Sequence, residues 1–345
     1  MRIKFTGKID DNHSISIVNK YICGELKKYK YKGEMIKIDL EDEEQADVEI
    51  RHTYPPIWRK TRAKILIYIQ EWEFERCPLE WVINFNAMAN RLIVPSEYIK
   101  GVYEEAGVRI PITVIENGYN VNIMGNVEKP IVKPYKFLYI GSYQYRKGYD
   151  ILHEIWDKYL GKDEDIELYV KDMNHVYGKK DNKNIRRMTN SNNVQYIDEE
   201  LTEEEMKELY KKCDCMVICS RGESYCMPLL EGIVNGLDII CPKDGPYKEI
   251  IRDEECYVRC KKVIIDPIEK FVGKRGDAFT NMGTHFKVNE VIKDDLLRKI
   301  IEKKSKKRTR GEMKEVMKNK CKTHTWREIG KKYLDIIKYE FNKNI

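Results

Sequence analysis

Short apolar runs alternate with polar or amphipathic segments along this chain, a pattern typical of parallel strands joined by helices. The runs MIKIDL, KILIYI and NRLIVP are short and rich in Ile, Leu and Val, and DVEIRH alternates apolar with polar residues. Buried parallel strands have this appearance, because helices cover both faces of the sheet. The first part of the chain therefore predicts an α/β fold with a parallel sheet.

The alternation resumes further along, with the predicted strands KFLYI, IELYV (166–170), NVQYID (193–198), CDCMVICS (213–220) and LDIICP (237–242). The segment VNIMGNVEKPIVKPYK (121–136) has no periodicity and two prolines, which favours a linker. A length of 345 residues is large for one core. We therefore predict two Rossmann-like domains, at residues 1–125 and 137–325.

Two helix starts are predicted from capping residues. Ser14 is placed to cap the helix SISIVNKYICGELKKY, and Thr202 with Glu205 forms a capping box before a helix that ends near residue 213.

A strand, a loop and a helix are predicted for residues 213–236. Pro228 suits the first helical turn, and Asn235-Gly236 is a stop signal. The amides of residues 225–227 then have no helical partners, and the positive end of the helix dipole faces the loop. Such a loop favours a phosphate group.

Two glutamates flank this loop, Glu223 at the end of the strand and Glu231 one turn inside the helix. Glu231 can accept hydrogen bonds from a ribose diol, and Glu223 can do the same for hydroxyls of a second ring. Two carboxylates beside an anion-binding loop indicate a nucleotide-sugar site. The alternative is a chance pair in a charged segment.

The string RGESYCMPLLEG resembles the E-x7-E signature of retaining glycosyltransferases of the GT-B fold, family 4 in particular. That fold has two Rossmann-like domains facing each other across a cleft. The resemblance implies that Glu223 contacts the transferred sugar and Glu231 the ribose. It assigns contacts with sugar and phosphate to Ser224, Tyr225, Cys226 and Met227. The family usually has Gly where this chain has Cys226, whose side chain is expected to crowd the sugar.

An earlier string, GSYQYRKGYDIL, resembles the family motif G-x-x-x-x-R-K-G-x-D-x-L. Lys147 inherits the role of neutralising the donor pyrophosphate, since a fixed cation stabilises a leaving nucleoside diphosphate. Arg146 is the second candidate, and its side chain is expected to point away from that of Lys147. Ser142 stands where the family often has Arg, so Arg146, Arg221 or Lys243 is expected to supply the missing charge. The alternative for YRKG is a solvated turn.

Polar residues of the first domain follow its predicted strands, where ligands gather in open parallel sheets. The resemblance implies that the turn at Gly7 approaches the donor phosphates and the acceptor. Many members of the family have His-Glu where this chain has Gln70-Glu71, so the imidazole is absent or supplied by His52. We expect His52 and Glu71 to be catalytic, and Gln70, Glu71 and Trp72 to bind the acceptor. His52 as a structural residue and Trp72 as a core residue are the alternatives.

The resemblance further implies that the loop at Tyr196 and Ile197 holds the nucleobase through backbone groups. The segment HTWREIGKKYLDIIKYEF (324–341) resembles the closing helix that crosses back to the first domain, which we assign to 326–345. The expected activity is retaining hexose transfer to a glycan or glycolipid, without a cofactor or metal. GDP-mannose is the first choice of donor by analogy, with a UDP-sugar as the alternative. The only D-x-D, Asp163 and Asp165, precedes a strand and should lie away from the ligand.

Charge and composition limit the partners. Lys+Arg of 63 against Asp+Glu of 57 gives a net charge of +6, too small and too evenly spread to indicate nucleic acid. The dense segment KKSKKRTR (303–310) is a solvated helix end or a site for an anionic surface. Lys, Ile, Asn and Tyr are abundant, which is typical of an AT-biased genome of a microbe or large virus.

Location and cysteine chemistry follow from the same composition. No run reaches the roughly 18 apolar residues of a membrane span, and the N-terminus is unlike a signal sequence. We expect a cytoplasmic protein. Peripheral attachment to a membrane is an alternative within this prediction, and a viral protein would lie in the host cytoplasm. Ten cysteines indicate a reducing compartment, and a zinc set among Cys213, Cys215, Cys219, Cys256 and Cys260 is a minor alternative.

Two further functions compete with transfer. A degenerate protein that binds sugar nucleotides without turnover is supported by Ser142, Cys226 and Gln70. A nucleic-acid-binding protein would use the basic segment 303–310.

Overall fold

The computed structural model describes residues 1–11, 13–40, 45–125, 132–173, 190–265, 286–305 and 311–344. Within these ranges the chain divides into two compact units. The first contains residues 1–118 and 323–344, and the second contains residues 119–265 and 287–322.

The helices and strands of the described ranges follow in this order: β1 (Arg2–Thr6), α1 (Ser14–Leu26), β2 (Lys30–Tyr31), β3 (Glu34–Met35), β4 (Lys37–Asp39), β5 (Val48–Arg51), β6 (Ile65–Ile69), α2 (Leu79–Met88), β7 (Arg91–Val94), α3 (Glu97–Glu105), β8 (Ile112–Val114), β9 (Tyr135–Gly141), α4 (Tyr149–Ile155), β10 (Ile166–Asp172), β11 (Val194–Ile197), α5 (Glu203–Lys212), β12 (Cys215–Val217), α6 (Met227–Val234), β13 (Asp238–Pro242), α7 (Tyr247–Ile250), β14 (Tyr257–Val258), β15 (Cys260–Ile265), β16 (Phe286–Val291), α8 (Lys293–Ser305), α9 (Gly311–Thr323) and α10 (Trp326–Lys343).

The first unit is built on a six-stranded sheet in the order β4-β1-β5-β6-β7-β8. Every neighbouring pair is parallel. All five residues of β6 are buried, so both faces of the sheet are covered at this strand. This is why the sequence of β6, ILIYI, is continuously apolar rather than alternating.

Helix α10 belongs to the first unit. The side chain of Thr325 accepts a hydrogen bond from the amide of Glu328 and so caps the helix. Trp326 stacks on Tyr21 of α1, with ring centroids 4.9 Å apart. A side chain at Gly118 would collide with Trp326, because its Cβ would lie 2.7 Å from the indole ring.

The second unit has a six-stranded sheet in the order β11-β10-β9-β12-β13-β14, again parallel throughout. Apolar clusters lie on both of its faces. Met216 of β12 belongs to the cluster that contains α5 and α6, whereas its neighbours Cys215 and Val217 belong to the cluster that contains α4 and α8. The strand alternates between two cores, which explains its apolar sequence.

Two local predictions have different outcomes. The capping box of Thr202 and Glu205 is confirmed, since each side chain accepts from the other's backbone amide. The prediction that Ser14 caps α1 is wrong, because the helix begins at Ser14 and His13 occupies the capping position without a side-chain hydrogen bond.

Part of two other predictions lies outside the described residues, namely 126–131 of the linker and 306–310 of the basic segment. The described start of the basic segment is not an exposed patch. Lys303 is 3% exposed and its Nζ lies 2.6 Å from a carboxylate oxygen of Asp238, while Lys304 pairs with Asp163.

In the described ranges, no helix combines the length and apolar content needed to cross a bilayer.

Candidate functional site

Two cations meet one carboxylate at the carboxyl edge of the second sheet. The residues after β9 form a 3-10 turn, Tyr145–Lys147, and Glu223 follows β12. Nζ of Lys147 lies 2.6 Å from Oε1 of Glu223, and a terminal nitrogen of Arg146 lies 3.2 Å from Oε2. The expectation that Arg146 points away from Lys147 is wrong, because a tight turn rather than an extended loop brings both side chains together.

Glu223 is a carboxylate held between these cations. Its exposed fraction is 6%. Burial by itself would raise the pKa of Glu223, but the charges of Lys147 and Arg146, together with the hydrogen bond from Lys147, outweigh it and lower the pKa to about 2.

The basic turn is fixed against β12 by a glycine and an arginine. Gly148 has φ of 69°, and a Cβ there would lie 1.9 Å from the carbonyl oxygen of Cys219, so only glycine fits. Arg221 is 3% exposed and donates to both carboxylate oxygens of Asp150, each at 2.7 Å. The same guanidinium donates to Glu290 and to the carbonyl of Tyr145.

The contacts of Arg146, Arg221 and Lys243 show which of them can supply the positive charge that an arginine in place of Ser142 would provide. Arg221 is occupied by Asp150 and Glu290, and Lys243 pairs with Glu254, 3.2 Å away. Of the three candidates, Arg146 is the one placed beside Glu223. Ser142 itself is 2% exposed, and its hydroxyl has no hydrogen-bond partner in the described part of the chain.

Helix α6 begins at Met227 with Pro228 in its first turn, as predicted. Cys226, just before it, has φ of 76° and ψ of 71°, in the left-handed region. Glycine adopts this conformation without strain, which explains why a glycine is usual there. Ser224 and Tyr225 are buried, and Met227 is half-buried.

Glu231 lies one turn inside α6 and is half-buried. Its Oε2 accepts a hydrogen bond of 2.6 Å from the hydroxyl of Tyr210 on α5. Burial raises the pKa of Glu231 to about 7, and the hydrogen bond from Tyr210 lowers it in part. Tyr210 was not among the residues predicted from sequence, because its contact with Glu231 exists only once α5 and α6 pack on the same face of the sheet.

The residues expected at the nucleobase also lie at this edge. Tyr196 and Ile197 end β11, the strand that pairs with β10 beside β9. The hydroxyl of Tyr149 lies 3.2 Å from that of Tyr196.

In the first unit, Asn19 of α1 joins the turn after β1 to His52. The side-chain nitrogen of Asn19 donates to the carbonyls of Lys8 (2.8 Å) and His52 (3.2 Å). Its oxygen therefore faces Nδ1 of His52, at 2.6 Å, which must carry the proton. A Cβ at Gly7 would lie 2.5 Å from the carbonyl oxygen of His52.

His52 is fully buried, and burial lowers its pKa to about 3. The ring is therefore uncharged at neutral pH, and its Nε2 has no hydrogen-bond partner within the described ranges. Asn19 was missed from the sequence. The available signal was an amide residue between Val18 and Ile22 on the buried side of the helix.

The three residues expected to bind the acceptor have different positions. Gln70 is fully buried, and its side chain donates to the carbonyl of Glu71 at 3.2 Å. Glu71 is half-buried and accepts from Asn117, 3.4 Å away. Trp72 is fully buried, its ring packs on Trp81 with centroids 4.9 Å apart, and its indole N–H donates to a backbone carbonyl. Trp72 thus belongs to the core, and its buried ring offers no surface on which a sugar could stack.

Metal-ligating residues do not cluster in the described part of the chain. No group of three or more His, Cys, Asp and Glu side chains suited to a metal ion occurs there, including the cysteines considered for zinc. Asp163 and Asp165 precede β10, at the amino end of the strand, and pair with Lys133 and Lys304.

Comparison with known proteins places this geometry in context. Residues 125–274 match the family model Glycosyl transferases group 1. An uncharacterized glycosyltransferase of Methanocaldococcus jannaschii is 27% identical over 168 residues, which are 48% of this chain and 43% of that protein. The chain thus spans less than half the length of that relative.

Two solved structures resemble the chain over nearly its whole length. HepE of Anabaena, in complex with UDP and glucose, has a TM-score of 0.64 at 12% identity and covers 98% of this chain and 100% of its own. Sucrose-phosphate synthase of Thermosynechococcus elongatus has a TM-score of 0.66 at 10% identity, covering 99% and 100%. The chain has the GT-B fold. The predicted fold class, with two Rossmann-like parallel-sheet domains, is therefore confirmed, and the segment that matches the group 1 model contains Lys147, Glu223 and Glu231.

Proposed function

We propose that this chain is a retaining glycosyltransferase that moves a hexose from a nucleoside diphosphate sugar to a glycan or glycolipid. One observation carries the proposal. Lys147 and Arg146 meet Glu223 immediately before α6, and Glu231 lies one turn inside that helix. The site thus combines two cations, an uncapped helix start and two carboxylates, which match a pyrophosphate and two sugar rings.

Each group has a proposed role in the donor complex. Lys147 and Arg146 neutralise the negative charge that grows on the departing pyrophosphate, with the amides before Pro228. Glu223 accepts hydrogen bonds from hydroxyls of the transferred sugar, and Glu231 from the ribose. Because Glu223 and the turn at Gly148 hold the cations in place, little reorganisation is needed as charge develops.

The proposed reaction is a displacement on one face of the sugar. The bond between the anomeric carbon and the phosphate oxygen breaks, and a bond to the acceptor oxygen forms on the same side. The acceptor proton passes to the departing phosphate oxygen, so no protein base is required. The two fixed cations supply the charge stabilisation, which supports transfer without a metal.

Donor identity is proposed from likeness. Structures of HepE contain UDP, glucose and UDP-glucose. We therefore propose a UDP-hexose as the first donor to test, with GDP-mannose beside it.

Release of nucleotide from the donor tests the proposal. Lys147→Met should lower turnover about a hundredfold or more, since losing one fixed stabiliser of developing charge has an effect of this size. Lys211→Met, which removes a half-exposed lysine paired with Glu208 on α5, is the matched control and should leave turnover unchanged. Arg146 still pairs with Glu223 in Lys147→Met, so the variant should fold, which thermal unfolding checks. Turnover by Lys147→Met at the control rate would contradict the assignment.

A nucleotide-sugar-binding protein without transfer is the second candidate. The side chain of Cys226 at a position suited to glycine and Gln70 in place of a histidine favour it. Binding of donor by the wild type with no release of nucleotide, in the presence or absence of acceptors, would support this candidate.

A further inference from the structure

Tyr210 contacts the donor-site carboxylate from outside the motif that contains it. Its ring is fully buried on α5, in the apolar cluster that also contains Leu229, Leu230 and Ile233 of α6. Its hydroxyl reaches out of this cluster to Oε2 of Glu231, at 2.6 Å. A tyrosine so enclosed has its ring position fixed by packing, so the hydroxyl is a rigid donor.

The two oxygens of Glu231 have different surroundings. Oε2 is held by Tyr210, whereas Oε1 accepts no hydrogen bond from the described part of the chain. The side chain is half-buried, and Oε1 is not among the buried polar atoms that lack a partner in the described ranges, so this oxygen remains accessible to a ligand. The hydrogen bond therefore fixes which oxygen is presented.

We propose that Tyr210 is a positioning residue of the donor site, whose hydroxyl holds Oε2 of Glu231 and presents Oε1 to the vicinal diol of a ribose. This inference rests on the proposed function and adds a residue that the motif does not contain. A carboxylate that is already oriented loses less side-chain freedom when it binds a diol, and charged acceptors form the stronger hydrogen bonds.

The same contact helps to keep Glu231 ionised. Burial raises its pKa to about 7, and the hydroxyl of Tyr210 acts in the opposite direction. Without the hydroxyl, the pKa of Glu231 rises further, so a larger fraction of the carboxyl is protonated at pH 7. Raising the pH above that pKa restores the carboxylate.

The titratable groups that face this pair are thiols. Cys213 lies at the end of α5 and Cys226 at the start of α6. Burial raises the pKa of Cys226 to about 12, so it is neutral near pH 7. Burial raises the pKa of Glu231, and Tyr210 is the one described residue whose hydrogen bond shifts it.

Calorimetric binding of nucleotides to Tyr210→Phe tests the inference, with UDP and GDP as probes. Binding should weaken about tenfold at pH 7, because the variant loses the hydrogen bond that orients Glu231 and also leaves a larger fraction of its carboxyl protonated. The loss should shrink to about threefold or less at pH 8.5, as Glu231 ionises again. The 2′,3′-dideoxy form of the same nucleotide should bind wild type and variant equally, because it has no diol for Glu231.

Two further variants separate positioning from packing. Tyr169→Phe removes another hydroxyl bonded to a carboxylate of the same unit, that of Glu167 at 3.0 Å, and should leave binding unchanged. On a Glu231→Gln background, Tyr210→Phe should cause no further loss. An equal loss for the dideoxy nucleotide, or wild-type affinity of Tyr210→Phe at pH 7, would overturn the inference alone. If the wild type binds neither UDP nor GDP, the proposed function fails and the inference with it.

Discussion

Cys226 holds a backbone conformation that side chains rarely adopt. Its φ of 76° places it in the left-handed region, directly before α6. A residue with a Cβ is strained there by about 1 kcal/mol or more. The residue type is visible in the sequence, but the strain is not, because it depends on the turn that joins β12 to α6.

This strain predicts an inverted order of stability for two substitutions. Cys226→Gly loses a small buried side chain but relieves the strain, whereas Cys226→Ala loses the thiol and keeps the strained Cβ. We expect the glycine variant to be more stable than the alanine variant by roughly 1 kcal/mol, the reverse of their usual order in helices and strands. Urea unfolding of both variants measures the difference. An alanine variant as stable as the glycine variant would show that the turn is not strained.

His52 is another residue whose identity is visible in the sequence and whose chemical state depends on the fold. Its place after a strand marks it as a candidate in the sequence. Its tautomer depends on Asn19, which is 33 positions away and whose amide orientation is set by two backbone carbonyls, and its neutral state depends on burial. A pKa near 3 makes the buried ring a poor general base, so at neutral pH it can contribute as a hydrogen-bond acceptor.

At the scale of elements, β5 carries a charged pair inside the first unit. Arg51 is fully buried and Glu49 is 1% exposed, and two hydrogen bonds of 2.8 Å and 3.0 Å join them. The remaining donors of Arg51 reach Tyr68 and the carbonyls of Ile57 and Arg59. Strand β5 is thereby tied to β6 and to the loop that follows β5. The alternating sequence DVEIRH suggested a strand but gave no reason to expect buried charges.

Removing Arg51 alone should lower the free energy of unfolding more than replacing both Glu49 and Arg51 with apolar residues. Arg51→Ala leaves Glu49 as an unpaired buried charge, and we expect a loss of about 3 to 5 kcal/mol in the free energy of unfolding. The double variant Glu49→Leu with Arg51→Met should be more stable than Arg51→Ala, because it buries no charge. Denaturant midpoints provide the test, and a loss below about 1 kcal/mol for Arg51→Ala would show that water reaches Glu49.

At the scale of the whole molecule, the two units have separate parallel sheets. The proposed donor groups Lys147, Glu223 and Glu231 all belong to the second unit. Ligand binding to the native state stabilises the regions that form the site.

Hydrogen exchange should therefore respond unevenly to nucleotide. Saturating UDP or GDP should slow amide exchange in residues 141–149 and 220–234, by about tenfold or more at ligand concentrations well above Kd. Peptides from β1 to β8 should be little affected by the nucleotide alone. Protection confined to the first unit would contradict the placement of the nucleotide, and the Lys147→Met variant should lose the effect.

The amino-acid sequence by itself determined the α/β class, the parallel strands and the positions of Lys147, Glu223 and Glu231. The class and the strands follow from local periodicity, the loop between Glu223 and Glu231 from helix start signals, and the choice of Lys147 from the resemblance of its segment to a family motif. All of these signals are local in the sequence. The tertiary structure decided which groups meet. In the folded chain Arg146 pairs with Glu223, and Tyr210 donates a hydrogen bond to Glu231. Arg221 pairs with Asp150, and Trp72 lies in the core. Such contacts join residues far apart in sequence, and their charge states follow from burial, which no local pattern specifies.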